Sequence, residues 1–121
     1  MKKIILRGKV VGGDGRGRRL GFPTANLKIF RGRLPLFGVY RVLVDGPGLK
    51  GRLGACNIGV NPTIAGVRRA RVEVHIPKFS GSLYGETLKL VFVNKIRNEL
   101  KFSSLKALKA QIRRDVRSLK T

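Results

Sequence analysis

Two neighbouring segments near the N-terminus combine residue types that can bind an anion and a metal ion. The first is rich in glycine and arginine and runs from Gly12 to Gly21, directly after a predicted strand. Glycines let the backbone approach an anion with exposed N–H groups, and arginines add charge-assisted hydrogen bonds. The segment lacks the Gly-Lys-Ser/Thr ending of a Walker P-loop, and no helical pattern follows it. By itself it is compatible with a phosphate-binding loop, an RNA-binding segment or a flexible hairpin.

The second segment places Thr24 and Asn26 just after the glycine-rich stretch. A hydroxyl and an amide oxygen two residues apart are neutral, hard oxygen donors. Such donors suit a Mg²⁺ ion whose charge is balanced by phosphates. Alternatively, both side chains satisfy backbone groups in a turn, as Thr and Asn commonly do. The residues alone leave both interpretations open.

The chain has six carboxylates, so a general base that is a carboxylate must be one of six residues. They are Asp14, Asp45, Glu73, Glu86, Glu99 and Asp115. Between Val72 and Ile76, apolar and polar residues alternate, which places Glu73 and His75 on the polar face of a half-buried strand. Glu73 can accept a proton there, or form an ion pair with a neighbouring cation. For His75 we favour a structural role.

The elements that must position these residues are mostly short strands separated by Gly, Pro and Asn turns. The pattern predicts strands at 4–11, 38–44, 52–58, 70–76 and 87–93, the last extending as far as 96, with a hairpin turn at 45–48. The segment 61–63 is expected to interrupt the pattern, because proline disfavours helical backbone at the residue before it. This spacing is typical of an antiparallel barrel or sandwich.

The C-terminal segment changes to a helical period. Its apolar residues recur at spacings of three and four, at Leu105, Leu108, Ile112, Val116 and Leu119. Ser103 or Ser104 can cap the N-terminus of this helix, which we expect at about 103–119. A basic amphipathic helix can bind RNA or a membrane, but we expect this one to pack on its own barrel. We predict one domain over 1–121, with the barrel at about 1–100.

The chain carries a large positive charge. It has 27 Lys and Arg against six acids, a formal net charge of +21. Such a charge attracts polyanions whatever the fold. The basic residues run from Lys2 to Lys120 without a concentrated block, as a whole-surface bias would produce. We therefore expect RNA binding to be incidental, and specific nucleic-acid binding stays open as the alternative.

The sequence also bears on compartment and assembly. The N-terminus has no apolar stretch of signal-peptide length, and no window approaches the ~18 apolar residues of a membrane span. The single cysteine, Cys56, cannot form an internal disulfide, and we expect it to fill core space. We predict a cytoplasmic monomer without membrane association.

Several motifs, in order along the chain, resemble riboflavin kinase. They lie at 15–26 (Gly-Arg-Gly-Arg-Arg-Leu-Gly-Phe-Pro-Thr-Ala-Asn), 37–40, 56–63, 72–76, 83–85, 96–97 and 101–105. The same module forms the C-terminal half of bacterial bifunctional riboflavin kinase/FAD synthetases. The resemblance implies an all-β fold, a six-stranded antiparallel Greek-key β-barrel, with one C-terminal helix. It implies transfer of phosphate from ATP to the 5′-hydroxyl of riboflavin, giving FMN and ADP with Mg²⁺.

The resemblance also implies residue roles. On the nucleotide side, it assigns Thr24 and Asn26 to Mg²⁺ and the phosphates, Gly13 and one of Arg18 or Arg19 to the ATP loop, and Tyr84 to the region of the adenine nucleotide. On the flavin side, it assigns Arg97 and Phe102 to flavin contacts. It assigns Glu73 as the base that accepts the ribityl hydroxyl proton. Which of the two arginines contacts ATP stays open.

Two departures from the family limit what is carried over. The chain shows no nucleotidyltransferase segment, so we expect kinase chemistry without FAD synthesis. The connection at 77–82 lacks acidic residues that relatives often have there. The alternative function is a nucleic-acid-binding or flavin-sensing regulatory protein on the same barrel, without kinase turnover. Against nucleic-acid binding, the chain has few aromatic residues for base stacking: two Tyr, six Phe and no Trp.

Overall fold

The computed structural model describes residues 3–12, 24–62, 68–79, 81–98 and 105–119. Within these ranges the chain forms six strands and one helix. They are β1 (Ile5–Val11), β2 (Ala25–Arg31), β3 (Gly38–Gly46), β4 (Leu49–Pro62), β5 (Arg68–His75), β6 (Thr87–Arg97) and the helix α1 (Leu105–Ser118).

The strands close into a barrel in the order β1-β2-β5-β4-β3-β6, and every neighbouring pair is antiparallel. Strands β3, β4 and β5 are successive neighbours, and β6 returns to lie beside β3. This 6-3-4-5 order is a Greek key. Strand β1 closes the barrel between β2 and β6. The predicted fold class is confirmed.

Alternating residues of the strands fill the barrel interior. Residues such as Leu6, Val42, Ile58, Leu88 and Leu90 are fully buried, because successive side chains of a strand point to opposite faces. Two aromatic rings, Tyr40 and Phe92, pack edge to face with centroids 5.2 Å apart. The Tyr40 hydroxyl donates a hydrogen bond of 2.7 Å to the carbonyl of Leu36, which satisfies the polar end of the ring.

Two strands depart from the predicted pattern. Strand β2 was not predicted, because its Asn and Lys residues are poor strand formers and it follows a glycine-rich segment. It forms because β1 and β5 pair with its two edges. Strand β4 runs on to Pro62, so the predicted interruption at 61–63 was wrong for its first two residues. Proline is tolerated there because a strand end requires few ladder hydrogen bonds.

The predicted hairpin turn between β3 and β4 is present. Gly48 has a φ of +72°, a conformation that favours glycine. Asp45 Oδ1 accepts a 2.6 Å hydrogen bond from the backbone N–H of Gly51, which stabilises the hairpin. In β1, an added Cβ at Gly8 would lie 2.8 Å from Ile29 Cδ1, so glycine there permits the close pairing of β1 and β2.

The helix α1 packs on the barrel, as predicted. Leu119, just beyond its last turn, is buried, and Arg41 on β3 donates a 2.5 Å hydrogen bond to the carbonyl of Ser118. Asp115 on this helix is also buried, which the apolar stripe of the helix did not predict. The predicted capping residues, Ser103 and Ser104, lie outside the described residues. No helix among the described ranges is long and apolar enough to cross a membrane.

Candidate active site

A row of polar residues crosses the outer surface of three neighbouring strands. Asn26 on β2 pairs directly with Glu73 on β5, and Glu73 pairs on its other side with Asn57 on β4. Directly paired residues project to the same side of a sheet, with Cβ atoms about 4.5–5.5 Å apart. The flanking Val72 and Val74 are buried in the interior, so this row lies on the outside of the barrel. The register thus places a predicted metal ligand beside the predicted base.

Glu73 is a partly accessible carboxylate. Its side chain is 23% exposed, and Oε1 lies 3.3 Å from Nε of Arg71, two residues earlier on the same face. Both interpretations drawn from the sequence therefore find support, since Glu73 has an ion-pair partner and remains accessible. A contact of this length is longer than the hydrogen bonds of a close bidentate arginine–carboxylate pair. A carboxylate held this way can still receive a proton from a bound hydroxyl.

Asn57 is a site residue that the sequence analysis did not single out. Its side-chain Oδ1 is buried and has no hydrogen-bond partner among the described residues. Leaving a buried acceptor unsatisfied costs about 1–3 kcal/mol, so such atoms are rare in native proteins and invite an explanation. Only the β4–β5 register reveals that Asn57 lies beside Glu73. The available signal in the sequence was a polar residue between the apolar neighbours Cys56 and Ile58.

The end of the barrel near Asn26 brings other predicted residues close. Asn26 pairs with Val11, the last residue of β1, and the half-buried Thr24 directly precedes β2. The loop at 81–86 is tied to the same end of β1, because Val10 exchanges backbone hydrogen bonds of 2.9 Å with this loop at 85–86. Tyr84 in this loop is 72% exposed. Its ring is therefore accessible, on a loop whose backbone is bonded to β1.

Arg97 lies at the far end of the same row and is held by the helix. It pairs with Val39 on β3, which in turn pairs with Asn57. Its guanidinium donates to Asp115 of α1 through Nε to Oδ1 at 3.0 Å and Nη2 to Oδ2 at 2.9 Å. Gln111 Nε2 also donates to Asp115 Oδ1, at 2.9 Å. This geometry gives Arg97 a role in joining β6 to α1, and its predicted flavin contact stays a prediction.

Four predicted site residues lie outside the described residues. They are Gly13, Arg18, Arg19 and Phe102. Their assignments stay predictions, as does the choice between the two arginines.

The donor set fits a metal ion held mainly by a substrate. The described residues contain no group of three or more His, Cys, Asp or Glu side chains that could hold a metal by themselves. The end of the barrel instead offers a hydroxyl, an amide oxygen and a carboxylate, from Thr24, Asn26 and Glu73. Mg²⁺ accepts such oxygen ligands and commonly completes its shell with phosphate oxygens and water. The residues present are therefore suited to a Mg²⁺–nucleotide complex.

Cys56, next to this row in sequence, is chemically shielded. It is fully buried inside the barrel, and burial raises the pKa of its thiol, with the nearby charge of Glu73 as the second cause. A thiol with a raised pKa forms little of the reactive thiolate. The structure therefore agrees with a space-filling role for Cys56.

Solved structures of other proteins share this barrel. A riboflavin kinase from Trypanosoma brucei matches with a TM-score of 0.64 and 28% sequence identity, over 99% of this chain and 79% of that one. A protein described as a macrolide-efflux protein from Streptococcus pneumoniae matches with a TM-score of 0.87 and 36% identity, over 97% of this chain and 38% of that one. This second structure shares the fold of the chain.

Sequence comparisons extend the match to bacterial enzymes. The chain is 49% identical over 112 residues to the bifunctional riboflavin kinase/FMN adenylyltransferase of Escherichia coli, covering 93% of this chain and 36% of that enzyme. It is 42% identical over 119 residues to the enzyme of the same description in Haemophilus influenzae, covering 38% of its length. The chain thus spans little more than a third of these relatives. The family model for riboflavin kinase (Flavokinase) matches residues 1–121, and the chain belongs to the riboflavin kinase family.

Proposed function

We propose that this chain transfers the γ-phosphoryl group of ATP to the 5′-hydroxyl of riboflavin, giving FMN and ADP. The observation that carries the proposal is the direct pairing of Asn26 with Glu73. It sets a neutral oxygen donor for a Mg²⁺–nucleotide beside a carboxylate that can accept the hydroxyl proton. In a chain of the riboflavin kinase family, this pairing is what phosphoryl transfer to a hydroxyl requires.

The nucleotide half of the proposed site lies at the β1–β2 end of the barrel. Thr24 and Asn26 would hold Mg²⁺, and backbone amides of the glycine-rich segment, including Gly13, would bind phosphate oxygens together with Arg18 or Arg19. Tyr84 would lie against the nucleotide, which its exposure and its loop's hydrogen bonds to β1 support. When bound, Mg²⁺ neutralises charge on the phosphates during transfer.

The acceptor half of the proposed site is centred on Glu73. The ribityl oxygen forms a bond to the γ-phosphorus, the bond from that phosphorus to the β–γ bridging oxygen breaks, and the hydroxyl proton passes to the Glu73 carboxylate. Phosphoryl transfer depends mainly on positioning and charge stabilisation, so the carboxylate must be held in place. We propose Asn57, paired with Glu73, as a positioning residue whose amide orients that carboxylate.

The flavin side of the proposed site adjoins the junction of β6 with α1. Arg97 and Phe102 are the predicted flavin contacts. The hydrogen bonds between Arg97 and Asp115 fix the position of the guanidinium, so a bound flavin would contact a side chain held in place by α1.

Since the proposed reaction consumes ATP, we place it in the cytoplasm. We propose a monomer, which light scattering during size-exclusion chromatography would check.

The direct test is incubation with riboflavin, ATP and Mg²⁺, followed by chromatographic detection of FMN. In Glu73→Gln we expect FMN formation to fall by at least ~100-fold, the range for losing a general base. Riboflavin binding, followed by flavin fluorescence, should survive. The matched control is Glu86→Gln, which removes the same charge from an exposed position and should keep activity within about twofold.

Two results would contradict the proposal. If folded wild-type protein makes no FMN, the proposed kinase activity is wrong. If turnover is unchanged in Glu73→Gln, the kinase activity is retained but Glu73 is not its base.

A further inference from the structure

Five cations lie opposite one another on a second outer surface of the barrel. Arg7 on β1 pairs with Arg31 on β2 and with Lys89 on β6, and Lys9 pairs with Lys28. We call the surface formed by Arg7, Lys9, Lys28, Arg31 and Lys89 the basic face. Directly paired side chains on strands are about 4.5–5.5 Å apart at Cβ, so these charges are neighbours in space.

Among the described residues, little negative charge lies against the basic face. No ion pair found among the described residues includes any of its five members. The nearest acids among the described residues lie at its margin. Asp45 on β3 pairs with Lys89 on β6, and Glu86 directly precedes Thr87, the residue that pairs with Lys9. Asp45 is also engaged with the backbone of its own hairpin. Like charges directly opposite each other destabilise a sheet, so this arrangement has a cost in the free protein.

An exposed aromatic ring lies within the basic face. Phe30 is 61% exposed, and on β2 it lies between Lys28 and Arg31. The strand register shifts at this point, where Arg7 pairs with Arg31 but Gly8 pairs with Ile29. Bulges of this kind often re-aim a side chain. A ring among cations on a sheet matches surfaces that bind single-stranded nucleic acid, where bases stack on aromatics and phosphates meet Lys and Arg.

We propose that the basic face binds single-stranded RNA, with the five cations contacting backbone phosphates and one base stacking on Phe30. The proposed kinase reaction uses none of these residues, so this is a separate binding function. Single-stranded RNA is favoured over an anionic membrane because membrane-surface proteins commonly use an amphipathic helix, whereas the basic helix α1 is packed on the barrel through Asp115 and Leu119. The proposal differs from non-specific attraction by the +21 charge because it assigns binding to one face.

A charge-matched pair of variants tests that localisation. The first is Lys9→Gln, Lys28→Gln, Arg31→Gln, and the control is Arg113→Gln, Arg114→Gln, Arg117→Gln on exposed positions of α1. Both remove three positive charges. Binding of a fluorescent 12-nucleotide RNA of mixed sequence is followed by anisotropy from 50 to 200 mM KCl.

For the basic-face variant we expect affinity at 150 mM KCl to fall at least tenfold. The slope of log affinity against log salt should fall by about 2, since each lost phosphate contact removes about 0.7. The helix control should lose less than threefold. Phe30→Ala should lose at least fivefold with an unchanged salt slope, because stacking is not an ionic contact.

Three outcomes would overturn the proposal. They are equal losses in the two triple variants, absence of RNA binding by wild-type protein at 150 mM KCl, and binding to phosphatidylserine vesicles without RNA binding. Thermal unfolding checks that the variants fold. The basic-face variant should unfold at the same or a higher temperature than wild type, because it removes like-charge pairs.

Discussion

Two arginine–carboxylate pairs adjoin the polar row, one at Glu73 between Asn26 and Asn57 and one at Arg97 at its far end, and their geometries differ. Arg71 Nε lies 3.3 Å from Glu73 Oε1, with side chains 30% and 23% exposed. Arg97 and Asp115 form a bidentate pair whose side chains are only 15% and 8% exposed, and Gln111 adds a further hydrogen bond. An arginine and a carboxylate thus form a longer, more accessible pair on β5 and a tight, buried pair between β6 and α1.

This difference indicates which carboxylate can take part in catalysis and which one stabilises the fold. A carboxylate with all its oxygens engaged and little exposure, like that of Asp115, is poorly placed to accept a substrate proton. A partly exposed carboxylate beside Asn26, like that of Glu73, can do so. We therefore expect variants around Asp115 to change stability first, and variants around Glu73 to change turnover first.

The largest expected effect is on stability, in Asp115→Ala. Removing one partner of a buried pair leaves Arg97 buried without its counter-charge, which costs about 3–5 kcal/mol of unfolding free energy. Chemical denaturation measures the loss. The matched variant Arg71→Gln breaks the loose pair and should cost less than about 1 kcal/mol. Equal losses in the two variants would mean that the pairs are equivalent in solution.

The next effect is on turnover, in Asn26→Leu. This substitution keeps the side-chain volume but removes the oxygen proposed to bind Mg²⁺, so we expect FMN formation to fall ~100-fold. The Mg²⁺ concentration for half-maximal rate should rise. Lys28→Met, two residues along the same face, serves as the control and should stay within about threefold. A normal Mg²⁺ requirement in Asn26→Leu would show that Asn26 does not bind the metal.

A smaller effect distinguishes positioning from folding at Asn57. We expect Asn57→Ala to lower kcat about tenfold with little change in the KM for riboflavin, because Glu73 loses its orienting neighbour. The unfolding free energy should stay within about 1 kcal/mol, since the variant removes a buried oxygen that lacks a partner. Asn57→Ser, which retains a short polar group, should recover part of kcat. A large loss of stability with normal kcat would assign Asn57 to folding alone.

The smallest effect is a pH dependence of stability caused by Cys56. Burial raises the pKa of this thiol above its ordinary value of 9.0, so the folded state keeps a proton that the unfolded state releases. Its contribution is therefore present below pH 9 and is lost as the pH rises above it, at a rate that approaches about 1.4 kcal/mol per pH unit once the unfolded thiol is ionised. Denaturation between pH 8 and 10 should show stability falling with pH in wild type and a weaker fall in Cys56→Ala. Parallel slopes would contradict the assignment.

Much of the architecture followed from local patterns. The alternation of Val72, Glu73 and Val74 predicted which face of β5 is polar, and the 45–48 turn and the C-terminal helix were also confirmed. These features depend on neighbours along the chain, and period and turn chemistry are visible there. Strand β2 was missed because its stability comes from pairing with two distant strands, which no local pattern reports.

The candidate site was predicted in part. Thr24, Asn26 and Glu73 were chosen from residue type and family resemblance, and the roles of Gly13, Arg18, Arg19 and Phe102 stay predictions. The residue types, and the face of each strand that carries them, can be read from the chain alone. Asn26, Glu73 and Asn57 become neighbours, and Asp115 pairs with Arg97, only in the folded protein. Strand register and barrel closure are set by long-range pairing and by burial of the whole core, so distant residues meet only after the chain has folded.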